Sequence, residues 1–211
     1  GANALPDREA IELAESVIAT TILTVQASAG FAYLAEAVGS ALWSGDKAAR
    51  TKLAEQHGCV SAQQREDCLA FGNARLAELK HYSGAMFYYG EEWYWGVDRL
   101  HYLEERLAEL GADLDREKPM LTKRFVVEVD NLRDNGSLTL EIYPSFRSPY
   151  TAVVFDQTLK LAELTGVNLV VRPVLPMVMR GVPATREKGL YIFADAAREA
   201  RRAGVPFGKF Y

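Results

Sequence analysis

A chain of 211 residues is long enough for one large domain or two small ones, with a full apolar core. Its 49% hydrophobic and 25% charged residues are ordinary for a globular protein, and a formal net charge of -4 gives no global case for binding nucleic acid or an anionic membrane. The two cysteines, Cys59 and Cys68, fit neither a C-x-x-C redox pair nor a metal-ligand spacing, and are expected to be small buried side chains in a reducing compartment.

From Pro6 to Leu110 the pattern is mainly helical. Asp7 can cap a helix from Arg8 to about Ser28. Its stretch Ser16 to Ala29 is interrupted by Thr20, Thr21, Thr24, Gln26 and Ser28, so it reads as a core helix and not a membrane span. No basic segment with a small-residue cleavage site opens the sequence, and a cytoplasmic location is expected. Phe31 to Trp43 repeats apolar residues at helical spacing, Asp46 starts a helix that Gly58 ends, and Ser61 starts another toward Lys80. The period then changes. Met86-Phe87-Tyr88-Tyr89 and Trp93-Tyr94-Trp95, joined by Gly90-Glu91-Glu92, predict a β-hairpin, and Val97 to Leu110 an amphipathic helix stopped by Gly111.

Gly111 to Lys123 is polar, contains Pro119 and reads as a linker. Phe125 to Val129 and Leu138 to Ile142 flank Asp134-Asn135-Gly136, which predicts a second hairpin. A helix from Thr151 to Thr165 and a strand from Asn168 to Leu175 then complete a β-α-β unit, and residues 187 to 203 form the last helix. Ser148-Pro149-Tyr150 sits where the strand hands over to the helix. The first N–H groups of a helix lack internal partners and its dipole is positive there, so an anion, including a thiolate, is favoured beside the Ser148 hydroxyl. His57, His81 and His101 show no metal spacing, are expected to be surface or partly buried side chains, and no metal is expected.

Residues 138 to 211 resemble the start of the kappa-class glutathione transferases and the 2-hydroxychromene-2-carboxylate isomerases, in the DsbA-like branch of thioredoxin folds. The resemblance rests on a strand, Ser148-Pro149-Tyr150, a helix, Val171-Arg172-Pro173-Val174-Leu175, Lys188-Gly189-Leu190-Tyr191, then Asp195, Arg198 and Gly204-Val205-Pro206. Residues 1 to 110 resemble the family's other half, a helical insertion and closing β-β-α, most sharply in Tyr94-Trp95-Gly96-Val97-Asp98-Arg99-Leu100. The halves stand in reversed order, as in a circular permutation, a tandem-domain junction or a stretch of a longer protein. The resemblance implies an α/β, thioredoxin-like fold with permuted order. Residues 1–110 would supply the helical insertion and closing half, 111–123 the linker, and 124–211 the opening half. If the halves pair, within one molecule or in a homodimer or with a partner chain, a single sheet closes.

By the same resemblance the cofactor is glutathione and the other partner a small-molecule electrophile or aromatic acid. Ser148 would stabilise the thiolate, Asp98 and Arg99 would hold the amino-acid end, and Lys188 would face a carboxylate. Ala85 and Met86 would run along the glutathione backbone, and Tyr150 and Arg147 would border the substrate. The chain departs from the family at Ser145, where an aspartate is usual, and at Ser83-Gly84-Ala85-Met86, where the family has a cis-proline. Other readings stand beside this one. Ser148 can be a plain N-cap, Asp98-Arg99 a cap and a surface cation, and Lys188 a solvated lysine. The chain as a whole can be a non-catalytic DsbA-like binding protein. A thiol-disulfide oxidoreductase is disfavoured, because no cysteine stands at 148.

Overall fold

A computed structural model describes Ala19, Ile22 and residues 31–115, 117–124, 126 and 128–208. Two compact units divide the chain after Leu79. In the first, α1 (Phe31–Trp43) buries Leu34, Val38 and Ala41, which recur at the spacing of one helix face. Ala19 and Ile22, both helical, pack against Leu34 and Val38, and Leu42, Leu53 and Ala54 cover the cluster. The rest of the helix expected over 8 to 28 lies outside the described residues. Asp46 caps α2 (Lys47–His57) by accepting the Ala49 N–H at 2.9 Å, and Gly58 ends it. Ser61 and Gln64 form a reciprocal capping box on α3 (Ala62–Glu78).

No residue of α3 is buried, and Phe71 is 75% exposed. The expectation of two buried cysteines is therefore corrected. Cys68 lies on this uncovered helix and Cys59 on the loop before it, both exposed and both free.

In the second unit, β1 (Met86–Tyr89) and β2 (Glu92–Trp95) form the expected antiparallel hairpin, in the register Met86 to Trp95 and Tyr89 to Glu92. The loop is two residues, Gly90 and Glu91, both at positive φ (56° and 67°), the signature of a type I′ turn. A short 3-10 turn over Val97–Arg99 leads into α4 (Leu100–Glu109). Beyond Gly111 the described residues form no regular element until β3 (Thr139–Ile142), and the Glu104 carboxylate anchors this stretch by accepting the N–H groups of Leu121 and Thr122.

The hairpin expected between 125–129 and 138–142 is not formed among the described residues. Phe125 and Val127 lie outside the described residues, and Val126, Glu128 and Val129 carry no strand. Instead β3 pairs in parallel with β4 (Asn168–Val171) across α5 (Pro149–Thr165), which gives the expected β-α-β unit. The Asp134 carboxylate explains the outcome: it accepts from the N–H groups of Gly136 and Leu138 and from the Ser137 hydroxyl. Asp-Asn-Gly thus launches a strand from a local side-chain turn. The Asp134 N–H also reaches the Thr165 carbonyl at the end of α5. Beside it Gly166 takes φ 75°, and a Cβ there would lie 2.1 Å from the Asp134 carbonyl oxygen. Only glycine satisfies both conditions. Past β4, Pro173 has no N–H to give, yet Val174 still bonds Pro144 at 2.9 Å.

Finally α6 (Arg186–Ala203) starts at the Thr185 cap and buries Tyr191, Asp195, Ala196 and Ala200 along one face. The unit is thus a mixture of helices and two small sheets. Its strand pairs β1–β2 and β3–β4 share no ladder. The closed single sheet expected from pairing of the halves is absent among the described residues; side chains join the halves instead.

Candidate functional site

A buried carboxylate makes that junction. On α6, Asp195 stands one turn beyond Tyr191, on the face that packs inward, and is only 2% exposed. A carboxylate this buried demands partners. Arg99 supplies two, donating from Nε to Oδ1 at 2.9 Å and from Nη2 to Oδ2 at 3.0 Å, a bidentate pair. The Tyr150 hydroxyl donates to Oδ2 at 2.8 Å, and Arg198 Nη1 lies 3.5 Å from Oδ1. Arg198 in turn bonds the Trp93 carbonyl and Glu92 and lies 4.7 Å above the Tyr94 ring. Glu199 is 3.5 Å from Arg99.

Local structure sets these positions. Gly96, at φ 66°, turns the chain out of β2 into the 3-10 turn, which leaves Asp98 exposed and directs Arg99 inward. Arg99 Nη1 donates to the Asp98 carboxylate at 2.9 Å. Burial would lower the Arg99 pKa, but the hydrogen bonds and charge of Asp195 outweigh it and hold the guanidinium well above its ordinary value. The same physics acts on the phenols: burial first, then the Asp195 charge, pushes Tyr150 and Tyr191 up. At neutral pH both phenols stay protonated, and Tyr150 donates to Asp195.

Over this network opens a cavity of about 280 Å³, lined by Trp95, Asp98, Arg99, Tyr150, Tyr191 and Asp195. A guanidinium has five N–H donors, and four hydrogen bonds run from Arg99 to the Asp195 carboxylate and to the Asp98 carboxylate and carbonyl. One donor remains on Nη2, next to an Asp98 carboxylate that is 73% exposed. A donor and an acceptor side by side complement a zwitterion, with an ammonium at Asp98 and a carboxylate at Arg99. The apolar wall is aromatic: Trp95 meets Tyr191 edge-on at 5.7 Å, and behind them His81 lies 5.3 Å from Tyr191 and stacks on Tyr82.

Of the residues singled out in the sequence, Asp98, Arg99 and Tyr150 meet here. Ser148 is the N-cap of α5, half-buried, two residues before Tyr150, and its side chain makes no capping hydrogen bond. It is not among the residues lining the cavity. Arg147 is exposed in the preceding turn. Ala85 adopts φ 56° and its carbonyl accepts the Gly96 N–H at 3.1 Å, closing the base of the hairpin; Met86 opens β1 opposite Trp95. Lys188 lies in the first turn of α6 with Nζ 3.7 Å from the Met177 sulfur. None of these four lines the cavity.

Asp195, Tyr191 and Trp95 were not singled out as site residues. The available signal was an acid on the apolar stripe of the last helix, at 191, 195, 196 and 200. The histidine expectation also needs correction, since His81 and His101 are buried at 5% and 4% exposure. Burial, ahead of every other influence, lowers the pKa of each.

Among the described residues no helix is long and apolar enough to cross a membrane, and no group of three or more His, Cys, Asp or Glu is placed to hold a metal ion. No protein-family model, curated protein or solved structure matches the chain.

Proposed function

We propose that the chain is a glutathione-dependent isomerase or transferase of the 2-hydroxychromene-2-carboxylate isomerase or kappa-transferase type, on a thioredoxin-like framework with permuted order. The observation that carries the reading is the junction at Asp195. It bonds Arg99, from the half written first, and Tyr150, two residues past Ser148 in the half written second. The β-α-β unit and the β-β-α unit belong to one compact body, which supports the thioredoxin-like reading.

Asp98 and the remaining Arg99 donor would hold the ammonium and carboxylate of the glutamyl end, and Trp95 and Tyr191 would wall off water. Ser148, at the N-terminus of the 17-residue α5, would donate its hydroxyl to the thiolate, beside backbone N–H groups that lack helical partners. The chemistry glutathione supplies when bound is a nucleophilic thiolate, suited to reversible addition to a conjugated double bond or to displacement of a leaving group. A thiol near pKa 8.5 is ionised at neutral pH when a helix N-terminus and a hydroxyl stabilise the anion. Glutathione-dependent turnover of an activated aryl halide tests the reading. Ser148→Ala is expected to lower kcat about 100-fold, the cost of removing one donor from a developing anion; an unchanged rate sinks it.

A second reading has its own support. The left-handed Ala85 and the placement of Ala85, Met86 and Lys188 away from the cavity favour a non-catalytic DsbA-like protein that kept the scaffold and lost the cofactor site. Absence of glutathione binding at millimolar concentration would select it.

A further inference from the structure

A larger cavity lies elsewhere on the second unit, along the outer face of α5. Gln157, Lys160, Leu161 and Leu164 follow the i, i+3, i+4, i+7 spacing of one helix face. Across from them stand Arg124, Val126 and Val129, and the two sets enclose about 450 Å³. The volume is in the range of small-molecule sites and the walls are mainly apolar. Val126 is 65% and Leu164 41% exposed, so these apolar side chains are open to a ligand.

The charge here runs against that of the whole chain, which is -4. The charged lining residues are Lys160 and Arg124, with no acid among the described ones. Arg124 is paired to Glu199 at 3.3 Å, whereas no ion pair of Lys160 occurs among the described residues. One uncompensated cation thus sits over an apolar floor, its own methylene stem adding to that floor. A single net positive charge matches a carboxylate better than a dianionic phosphate. We infer that this groove binds a medium-chain fatty carboxylate, with the acyl chain against Leu161, Leu164, Val126 and Val129 and the head at Lys160. The site shares no lining residue with the cavity over Asp195.

Isothermal titration of the full chain with decanoate, below its micelle concentration, tests the inference. Saturable one-to-one binding is expected, with no response to decyltrimethylammonium. Lys160→Glu should weaken binding about tenfold, the scale of reversing one partly exposed charge. Leu164→Asp, at a second exposed position, should weaken it similarly, and saturating glutathione should leave it unchanged. Failure of decanoate to saturate would overturn the assignment. So would equal binding of the cationic amphiphile, unchanged affinity in Lys160→Glu, or competition by glutathione.

Discussion

Asp195 shows how one buried charge can join parts of a chain that are far apart in sequence. Removing one member of a buried, hydrogen-bonded ion pair strands the other, at a cost of about 3–5 kcal/mol. Asp195→Asn keeps the shape but takes the charge from a side chain that is 2% exposed. A loss of about 3 kcal/mol in urea denaturation is therefore expected, and a loss below about 1 kcal/mol would show that Glu199 and Asp98 compensate Arg99. The buried histidines set a pH dependence. Both His81 and His101 have folded pKa values below 6.5, so the unfolded chain binds more protons. Their contribution to stability is full above pH 6.5 and is lost as pH falls from there through the folded values. The urea midpoint should decline as pH is lowered from 7 to 5, and His81→Leu with His101→Leu should flatten that decline. A wild-type midpoint constant over this range would contradict the account.

The elements divide into those governed by local rules and those governed by partners. The hairpin, α2, α3 and α5 were legible in the sequence because their punctuation is local: Gly90 at the turn, Asp46 and Ser61 at N-caps, Pro149 at the first position of α5, Gly58 at a C-cap. What could not be read was the pairing of 138–142. Asp-Asn-Gly favours a hairpin whenever two apolar runs flank it, and the sequence does not display the three hydrogen bonds that turn Asp134 into a strand initiator. Of the site, Asp98, Arg99 and Tyr150 were legible through the family-like segments around them. Asp195 was hidden because a charge on a buried stripe announces a partner without saying which. Two changes test the element rules. Glu91→Gly relieves a left-handed glutamate in the type I′ turn and should stabilise by about 0.5–1 kcal/mol after the entropy cost of glycine, seen as a rise of a few degrees in Tm. Gly166→Ala places a methyl against the Asp134 carbonyl at a positive φ and should destabilise by more than about 2 kcal/mol.

At the scale of the molecule, the second unit joins two runs that are far apart in sequence through side chains instead of a shared sheet. Arg99 to Asp195, Arg198 to the Trp93 carbonyl and Arg202 to Glu105 all span the gap between the hairpin-helix half and the last helix. An ionic seam of this kind is directional, so it fixes how α4 and α6 face each other where apolar contact alone would let them slide. It also places Tyr150, at the start of α5, beside Asp98 and Arg99, the arrangement on which the proposed glutathione site rests. The most direct test of that claim is the ultraviolet absorbance of the glutathione thiolate, titrated against pH with the full chain in excess. The account predicts that bound thiol ionises well below the free value of about 8.5, and that Ser148→Ala returns it toward that value. A titration curve that coincides with free glutathione, at millimolar concentrations of both components, would contradict it.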